Sequence, residues 1–587
     1  MLRLLLLIGV LQGWALWGLW KARELHIWPN TDALSERGLL YLFLALPLAI
    51  YLTESVTALS RKHRIQILVG LSLLFTLLGA YSGWADNIIF DSQTASGYIP
   101  FARPSDLLAA TVLLFVSVPL LAHFNIKARG WAYPDLFETA WRNAILCLSA
   151  GFLTGVFWIV LFAGSELLHL IGLSFMKVLI KESTFAIPVS CIAFGTAYSL
   201  ALARAEMVIT LRRFKLSMLA WMLPLLMMFV IVWVVALPFT GVESLFNTHS
   251  AAYILLWCAA LCISFINAAY QDGITAPPYG KYLNQLLAWG WLALPIVVAV
   301  ATWAMWLRIE QYGWSEDRVW GMFVMLMAML HVVGYAASAL RSKGWLASIG
   351  KTNMWSAFAL CIGLIALLTP IADARRIAVN SQMQRLTSQI TPVEKFDFDY
   401  LRWQAGRHGQ NALHTLASGI IHPEQEKLAS QAKQLLAQNQ RYQTTESISS
   451  MSDTEKRQHI QMLPSKALLS VPLLKALGDK SSGGPLETCF NIKTKCAIWL
   501  VDLNADRALD AVVLVKYEWG KYGQALVLKN INGNYQLVGR LANTNESTYD
   551  QLLDLIERGE FKIVNPKWRE IELAGKRIQV EVDYQER

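Results

Sequence analysis

The chain has 587 residues, which is too long for one ordinary core, and its composition excludes a wholly soluble or disordered protein. Apolar residues make up 55% and charged residues 16%, with a mean hydropathy of +0.39, whereas soluble domains contain about 25% charged residues. The formal net charge is +9. Residues 372–587 contain 28 basic and 25 acidic residues, a balance that excludes nucleic-acid binding on charge grounds.

Eleven apolar stretches predict a polytopic α-helical membrane protein. About 20 apolar residues, rising about 1.5 Å each, cross a bilayer core of about 30 Å. A signal peptide is the rival interpretation of the first stretch, but its apolar run ends in tryptophans with no small-residue cleavage site, which favours a retained helix. The predicted spans are residues 3–20, 38–53, 65–84, 107–123, 144–170, 184–206, 216–238, 251–269, 286–307, 319–340 and 353–371.

The distribution of Lys and Arg in the short loops predicts the orientation of the spans. With the N-terminus inside, the inner loops and Arg3 carry 15 basic residues and the outer loops carry eight. Eleven spans then place the C-terminal domain outside. An error of one span would put that domain in the cytoplasm.

Polar residues within predicted spans are candidates for function, because such groups are costly in hydrocarbon. Glu166 and His169 share a helix face near the outer end of the fifth span, where a pair could relay protons or bind a metal. Simple hydration at the interface is the alternative. Asn267 lies in the eighth span and His331 in the middle of the tenth. Interior prolines indicate either broken helices at a transport site or ordinary kinks; they are Pro47, Pro119, Pro188, Pro224 and Pro295.

A basic cluster follows the sixth span on the predicted cytoplasmic side. A site for lipid head groups is one interpretation, but the positive-inside rule predicts such residues without any ligand. The cluster consists of Arg204, Arg212, Arg213 and Lys215.

The part that follows the membrane domain (residues 1–371) divides by pattern into a helical segment, 372–480, and a mainly β segment, 481–587. Strands are predicted at 497–501, 511–517, 525–529 and 535–541, then a helix at 545–558 and strands near 568–573 and 577–583. Asn532-Gly533 is typical of a hairpin turn. The sequence therefore predicts a C-terminal α+β soluble domain.

Cys489 and Cys496 form a candidate disulfide in this domain. The spacing allows a bridge between two adjacent strands across a short hairpin, and an oxidising compartment would favour the bond. The alternatives are two free thiols in a cytoplasmic domain, or half of a zinc site without its other ligands.

The segment 502–510 resembles the calcium loops that join strands in some β-repeat proteins. Hard oxygen donors at alternate positions can converge on one Ca²⁺. Arg507 departs from the pattern, since it replaces the glycine of the sharp turn and adds a cation. An ordinary turn with side-chain-to-backbone hydrogen bonds is the alternative, and then no cofactor is expected. The candidate ligands are Asp502, Asn504, Asp506 and Asp510.

Five short segments carry a family resemblance: Tyr133–Asn143, Phe157-Trp158, Trp221–Pro224, Phe265–Gly273 and Phe396–Trp403. Residues 134–273 resemble the core of a bacterial inner-membrane family catalogued as domain of unknown function 4153. The resemblance implies a multi-pass protein of the bacterial inner membrane, with its C-terminal domain in the periplasm if eleven spans are correct. The family has no established activity, so the resemblance implies architecture and no chemistry.

The sequence favours a non-enzymatic envelope anchor or scaffold, since it contains no G-x-x-x-x-G-K-[ST], G-x-S-x-G or H-E-x-x-H motif and offers no catalytic residue. Its expected partners are the bilayer and either a lipid or an envelope protein. A transporter or lipid-handling protein is the first alternative. A membrane-embedded transferase acting on lipid-linked substrates is the second; its acidic outer-loop residues would be Glu24, Asp32, Asp86 and Asp91.

Overall fold

A computed structural model of the chain divides into two compact units, Met1–Asn439 and Gln440–Arg587, and each is described by itself. The residues that the structure describes are 2–56, 59–86, 102–124, 130–241, 251–274, 278–341, 345–419, 422–437, 457, 459–463, 467, 469–477, 489, 495–503, 505–516, 524–531, 533–541, 549–560, 562, 571–573 and 576–578.

Among these residues, eleven helices are long and apolar enough to cross a membrane, which confirms the predicted number of spans. The chain is therefore a multi-pass membrane protein. A short helix, α6 (Phe175–Leu179), lies between two of them. The eleven are α1 (Leu2–Glu24), α2 (Ala33–Glu54), α3 (Arg61–Asp86), α4 (Pro104–Ala122), α5 (Tyr133–Leu170), α7 (Ser183–Ala203), α8 (Ala205–Thr240), α9 (Ala251–Tyr270), α10 (Lys281–Tyr312), α11 (Glu316–Ala339) and α12 (Trp345–Leu367).

The packing of α2 against α3 places charged residues side by side at one end of the bundle. A Cβ atom at Gly83 would lie 2.1 Å from the carbonyl oxygen of Ala33, so only glycine allows the two backbones to approach this closely. The contact brings Arg37 of α2 next to the C-terminal end of α3. Large apolar side chains such as Phe152 of α5, 70% exposed, form a surface that suits contact with lipid.

Four helices after the last span form a separate small core and belong to the same compact unit as the bundle. We call residues 374–437 the helical cap. Buried leucines join its helices, among them Leu386, Leu401 and Leu413. The cap helices are α13 (Ala374–Thr387), α14 (Phe398–Trp403), α15 (Gly406–Ser418) and α16 (Gln425–Ala437).

The second unit contains a five-stranded sheet in the order β1-β2-β3-β4-β5, in which β1 and β2 are parallel and the other neighbours are antiparallel. This confirms an α+β fold. A separate two-stranded sheet follows near the C-terminus. The elements are β1 (Ile460–Leu463), α17 (Val471–Leu477), β2 (Lys495–Val501), β3 (Asp510–Lys516), β4 (Gln524–Ile531), β5 (Asn534–Arg540), α18 (Tyr549–Glu557), β6 (Ile571–Leu573) and β7 (Lys576–Ile578).

Strand β1 corrects the prediction that the segment 372–480 is helical. Ile460 pairs with Cys496 and Leu463 with Trp499 in the parallel register. The strand has four residues, too few for a period to identify it. Its partner lies 36 positions away in the chain, so pairing rather than local preference determines its conformation.

Candidate functional site

Asp86, the last residue of α3, is surrounded by three arginines. Its Oδ2 lies 3.2 Å from Nη2 of Arg37 in α2, and its Oδ1 lies 3.1 Å from Nε of Arg103, just before α4. The same Oδ1 pairs with Nη1 of Arg375 in α13. The side chains of Arg37, Asp86 and Arg375 are at most 7% exposed. Each buried charge therefore depends on the others for compensation.

Arg103 extends this network to α11 and to the cap. Its Nη1 lies 2.6 Å from Oε2 of Glu316, and its Nη2 donates to the carbonyl oxygen of Gln404. The other carboxylate oxygen of Glu316 accepts a 3.1 Å hydrogen bond from the hydroxyl of Tyr400 in α14. Burial, with the nearby carboxylate of Glu316, raises the pKa of Tyr400 above its usual value.

Asp373 connects the network to the first turn of the cap. Its Oδ1 accepts hydrogen bonds from the backbone N–H groups of Arg375 and Arg376, at 2.8 and 3.2 Å, and so caps α13. Its Oδ2 accepts a 2.7 Å bond from the hydroxyl of Tyr81. Burial alone would raise the pKa of Asp373, but the nearby ring of His408 and the guanidinium of Arg375 outweigh burial and hold it below its usual range. We call Arg37, Asp86, Arg103, Glu316, Asp373 and Arg375 the ionic cluster.

Further contacts fix the cap to the C-terminal ends of two spans. Arg385 donates from Nη1 to the carbonyl oxygen of Glu310 at 3.0 Å and from Nη2 to that of Gln311 at 2.7 Å. These are terminal carbonyls of α10, which lack partners within the helix, and a cation is favourable there. Arg407 donates a 3.1 Å bond to the carbonyl oxygen of Trp84 and lies over its ring.

The space inside the ionic cluster is too small for an organic substrate. A cavity of about 20 Å³ lies between Tyr81, Asp106, Glu316 and Asp373. That volume accommodates about one water molecule. The contacts of the cluster join the cap to the spans and leave no room for a substrate.

A second site, the polar cavity, lies toward the opposite ends of α4, α11 and α12. Its volume is about 350 Å³. Arg103 and the lining residue Pro119 are 16 positions apart on one helix, so the two sites are separated by about 24 Å. The polar cavity is lined by Phe115, Val116, Pro119, Leu120, Tyr133, Leu136, Phe137, Ala140, Trp141, Asn267, His331, Asn353, Met354 and Ala357.

Hydrogen bonds link the amide and phenol groups at this cavity. Nδ2 of Asn353 lies 2.7 Å from the hydroxyl oxygen of Tyr133 and 2.6 Å from Oδ1 of Asn267. The hydroxyl of Tyr335 lies 2.6 Å from Oδ1 of Asn353 and 2.8 Å from Nδ2 of Asn267. Nδ1 of His331 lies 2.8 Å from the carbonyl oxygen of Met327.

The structure brings only two of the four intramembrane candidates together. Asn267 and His331 line the same cavity. Glu166 and His169 lie at the far end of α5, where Oε1 of Glu166 pairs with Nζ of Lys177 at 3.0 Å. The Glu166 side chain is 62% exposed, which agrees with hydration at an interface.

The predicted basic cluster does not converge on one point. Nη1 of Arg212 lies 3.6 Å from Oε1 of Glu138, while Arg204, Arg213 and Lys215 are exposed. These positions agree with a solvated face, and the head-group site stays a prediction.

In the second unit, the structure pairs Cys489 with Cys496, with 2.07 Å between the two sulfur atoms. Both residues are buried. Cys496 lies on β2, but Cys489 precedes that strand, so the pair does not join the two strands of the β2–β3 hairpin.

The side chains of the calcium-like loop bond the backbone. Asp502 accepts from the N–H of Arg507 at 2.9 Å, and Asp506 accepts from that of Ala508 at 2.8 Å. The carboxylate of Asp510 accepts from the N–H groups of Leu503 and Asn530. Asn504 lies outside the described residues. Among those described, no three His, Cys, Asp or Glu side chains form a group that could hold a metal, and calcium binding stays a prediction.

Sequence reasoning missed most of the ionic cluster and the partners of Asn267. A usable signal for the cluster was the repeated occurrence of charges at span ends on one predicted side, as at Arg37, Asp86 and Glu316. For the cavity, the signal was weaker. Tyr133 and Asn267 both lie in segments that carry the family resemblance, whereas Asn353 does not.

Comparison with known proteins places the chain by family alone. A family model described as Domain of unknown function (DUF4153) matches residues 26–416, more than half of the chain. The match covers all spans after the first, the ionic cluster and most of the cap. No curated protein and no solved structure matches the chain.

Proposed function

The chain belongs to the DUF4153 family, and we propose that it is a membrane anchor that holds an extramembrane helical cap rigidly and, through the chain that follows the cap, tethers the C-terminal α+β unit. The observation that supports this most is the convergence of Arg37, Arg103 and Arg375 on the single buried carboxylate of Asp86. This contact joins the ends of three spans to the first cap helix.

The energetics of the ionic cluster favour a fixed joint. Removing one partner from a buried ion pair costs about 3–5 kcal/mol, because the remaining charge has no compensation. Moving the cap away would separate Arg375 from Asp86 and also Arg385 from the end of α10. A protein whose mechanism required the cap to move would have to break these contacts in every cycle.

We place the anchor in the bacterial inner membrane with the C-terminal unit in the periplasm. The support is the odd number of spans together with the excess of basic residues in the alternate loops. The cysteine pair at bonding distance is also in keeping with an oxidising compartment. The expected partners of the exposed unit are envelope components.

The transferase alternative has less support, because its acidic residues are engaged elsewhere. Glu24 pairs with Lys21 at 3.0 Å, Asp32 caps α2, and Asp86 belongs to the ionic cluster. Asp91 lies outside the described residues. The lipid-handling alternative is supported by the polar cavity.

A site-specific protease sequence inserted between Asn439 and Gln440 tests the anchor proposal in the full chain. A deletion strain is first screened for an envelope phenotype that this version complements, and the protease is then produced in the periplasm or in the cytoplasm. An anchor predicts that periplasmic cleavage releases the C-terminal unit and abolishes complementation. Cytoplasmic protease should leave the chain intact.

The matched control carries a scrambled protease sequence at the same position. Complementation that persists after complete cleavage would refute the anchor, because the function would then reside in the bundle and cap alone. Cleavage by the cytoplasmic protease would refute the proposed orientation without deciding the function.

A further inference from the structure

We propose that the polar cavity binds the hydroxyl group of an uncharged lipid alcohol, whose apolar chain extends from the cavity along the bundle. This proposal concerns a different part of the molecule from the anchor role and does not depend on it. It rests on two hydrogen-bonding atoms at the cavity wall whose capacity the protein leaves unused.

The first of these is the hydroxyl hydrogen of Tyr133. Nδ2 of Asn267 lies 2.9 Å from the carbonyl oxygen of Ile263, which can only accept, so this contact fixes the orientation of the Asn267 amide. Its Oδ1 therefore faces Asn353 and must meet that residue's Nδ2. The other N–H of Asn353 then donates to the hydroxyl oxygen of Tyr133.

The remaining hydrogen bonds of this network do not use the hydroxyl hydrogen of Tyr133. The hydroxyl of Tyr335 donates to Oδ1 of Asn353, and it accepts from Asn267. Both N–H groups of each amide therefore already have an acceptor. No acceptor for the Tyr133 hydroxyl hydrogen is found among the described residues, so this phenol offers a donor.

The second atom is Nε2 of His331. Nδ1 of this ring lies 2.8 Å from the carbonyl oxygen of Met327, which can only accept, so Nδ1 carries the hydrogen. In the neutral imidazole Nε2 is then an acceptor. In the part of the chain that the structure describes, no protein donor reaches it.

One donor and one acceptor match a hydroxyl group, which has one of each. No Asp, Glu, Lys or Arg is among the described residues that line the cavity, so nothing there compensates a phosphate or an ammonium group. Burying such an ion without a partner is costly. The polar end of the ligand is therefore uncharged.

The rest of the cavity suits an apolar chain. Nine of its lining residues are aliphatic, proline, methionine or phenylalanine, including Leu120, Leu136 and Phe137. A group of the size of a water molecule occupies about 30 Å³. A volume of 350 Å³ therefore holds on the order of twelve such groups. The lining residues Phe115, Val116 and Met354 are only half-buried, so the cavity opens toward the apolar surface of the bundle.

Photolabelling of the purified full chain with a diazirine derivative of dodecan-1-ol tests the proposal. We expect labels on peptides of α4, α5 and α12, and competition by dodecan-1-ol. Dodecane and dodecyl phosphate at equal micellar concentration should compete at least tenfold less well. Dioleoylglycerol and a polyprenol, as two natural sources of the same hydroxyl, are compared as further competitors.

Two kinds of variant locate the site. Ala357→Phe fills the cavity and should reduce labelling at least tenfold, whereas Ala163→Phe makes the same change at an exposed position of α5 outside the cavity lining and should not. His331→Leu and Tyr133→Phe each remove one hydrogen-bonding atom and should weaken competition by dodecan-1-ol about two- to tenfold. Competition by dodecane should not change. Each variant must elute and melt like the parent.

Several results would overturn the proposal. These are equal competition by dodecane or dodecyl phosphate, labels spread evenly over the apolar surface, and undiminished labelling of a folded Ala357→Phe variant. If Tyr133→Phe fails to fold because Asn353 loses an acceptor, His331→Leu and Ala357→Phe still decide the question. Unchanged competition in both would count against it.

Discussion

The hydroxyl of Tyr81 in a membrane-spanning helix donates a 2.7 Å hydrogen bond to the carboxylate of Asp373, which caps the first cap helix through its other oxygen. The side chain of Asp373 thus accepts a hydrogen bond from a transmembrane helix and also caps the first extramembrane helix. The cap is consequently an extension of the bundle rather than a separate domain on a linker.

Asp86→Asn should loosen the cap, because it removes the negative charge shared by three arginines. We expect a loss of about 3–5 kcal/mol in unfolding free energy and faster deuterium uptake in residues 374–418. Glu24→Gln is the matched control, since Glu24 forms an exposed pair with Lys21 that contributes less than about 1 kcal/mol. Equal uptake in the two variants would contradict the proposed joint.

Gly406→Ala should destabilise the contact between the cap and α3. Gly406 has φ of +58°, and an added Cβ would lie 2.3 Å from the carbonyl oxygen of Ala85. The left-handed conformation alone costs alanine about 1–2 kcal/mol, and the overlap adds to it. Gly172→Ala is the control, since Gly172 has φ of +87° with no atom within 4 Å of such a Cβ. We expect a larger fall in Tm for Gly406→Ala, and equal falls would show that the overlap is relieved.

The contributions of Asp373 and Tyr400 to attachment of the cap should be constant from about pH 5 to 9. The pKa of Asp373 is lowered in the folded state, so its contribution is complete above the ordinary value of 3.8 and is lost as pH falls through the lowered value. The pKa of Tyr400 is raised, so its contribution is complete below 10 and is lost at higher pH. The difference in Tm between the parent and Asp373→Asn should therefore be constant across this range. A difference that changes with pH within the range would contradict the prediction.

Alkaline phosphatase fused after Arg587 should be active. A fluorescent protein that matures only in the cytoplasm should not fluoresce when it is fused at the same position. The reason is the odd number of spans and the bias of basic residues to the inner loops. A fusion placed after Leu340, in a predicted inner loop, serves as the inverted control. The same result at both positions would show an error in the predicted topology.

Cys489→Ser should lower the stability of the C-terminal unit by about 2–3 kcal/mol, the loop-entropy value for a short closed loop. Chelation of calcium should change Tm little, because Asp502, Asp506 and Asp510 already bond the backbone. Labelling of both Cys489 and Cys496 by a thiol reagent in the native protein would refute the disulfide. A fall in Tm on chelation would show that bound calcium stabilises the 502–510 loop, contrary to this prediction.

The sequence was sufficient to predict the features that depend on residues close together in the chain. A span follows from about 20 consecutive apolar residues, and strands β2 to β5 follow from short apolar runs with turns between them. The ionic cluster depends on pairs such as Asp86 and Arg375, which are 289 positions apart, so no local pattern reports it.

The residues of the polar cavity could likewise be predicted only in part from the sequence. Asn267 and His331 could be identified one at a time, since each is a polar group within an apolar run. Their role as one wall required Asn353, 86 positions after Asn267, and Tyr133, 220 positions before Asn353. Only the packing of α5, α9, α11 and α12 reveals that these residues meet.

The position of Arg375 also has a consequence for biogenesis. During synthesis the ribosome makes Asp86 well before its third arginine, and 289 residues take about 15–60 s at bacterial and eukaryotic elongation rates of about 5–20 residues per second. Until then Asp86 has only Arg37 and Arg103 as partners, and the end of α10 lacks Arg385. A nascent chain truncated before the cap would therefore carry an incomplete ion network, with Asp86 held by two arginines instead of three.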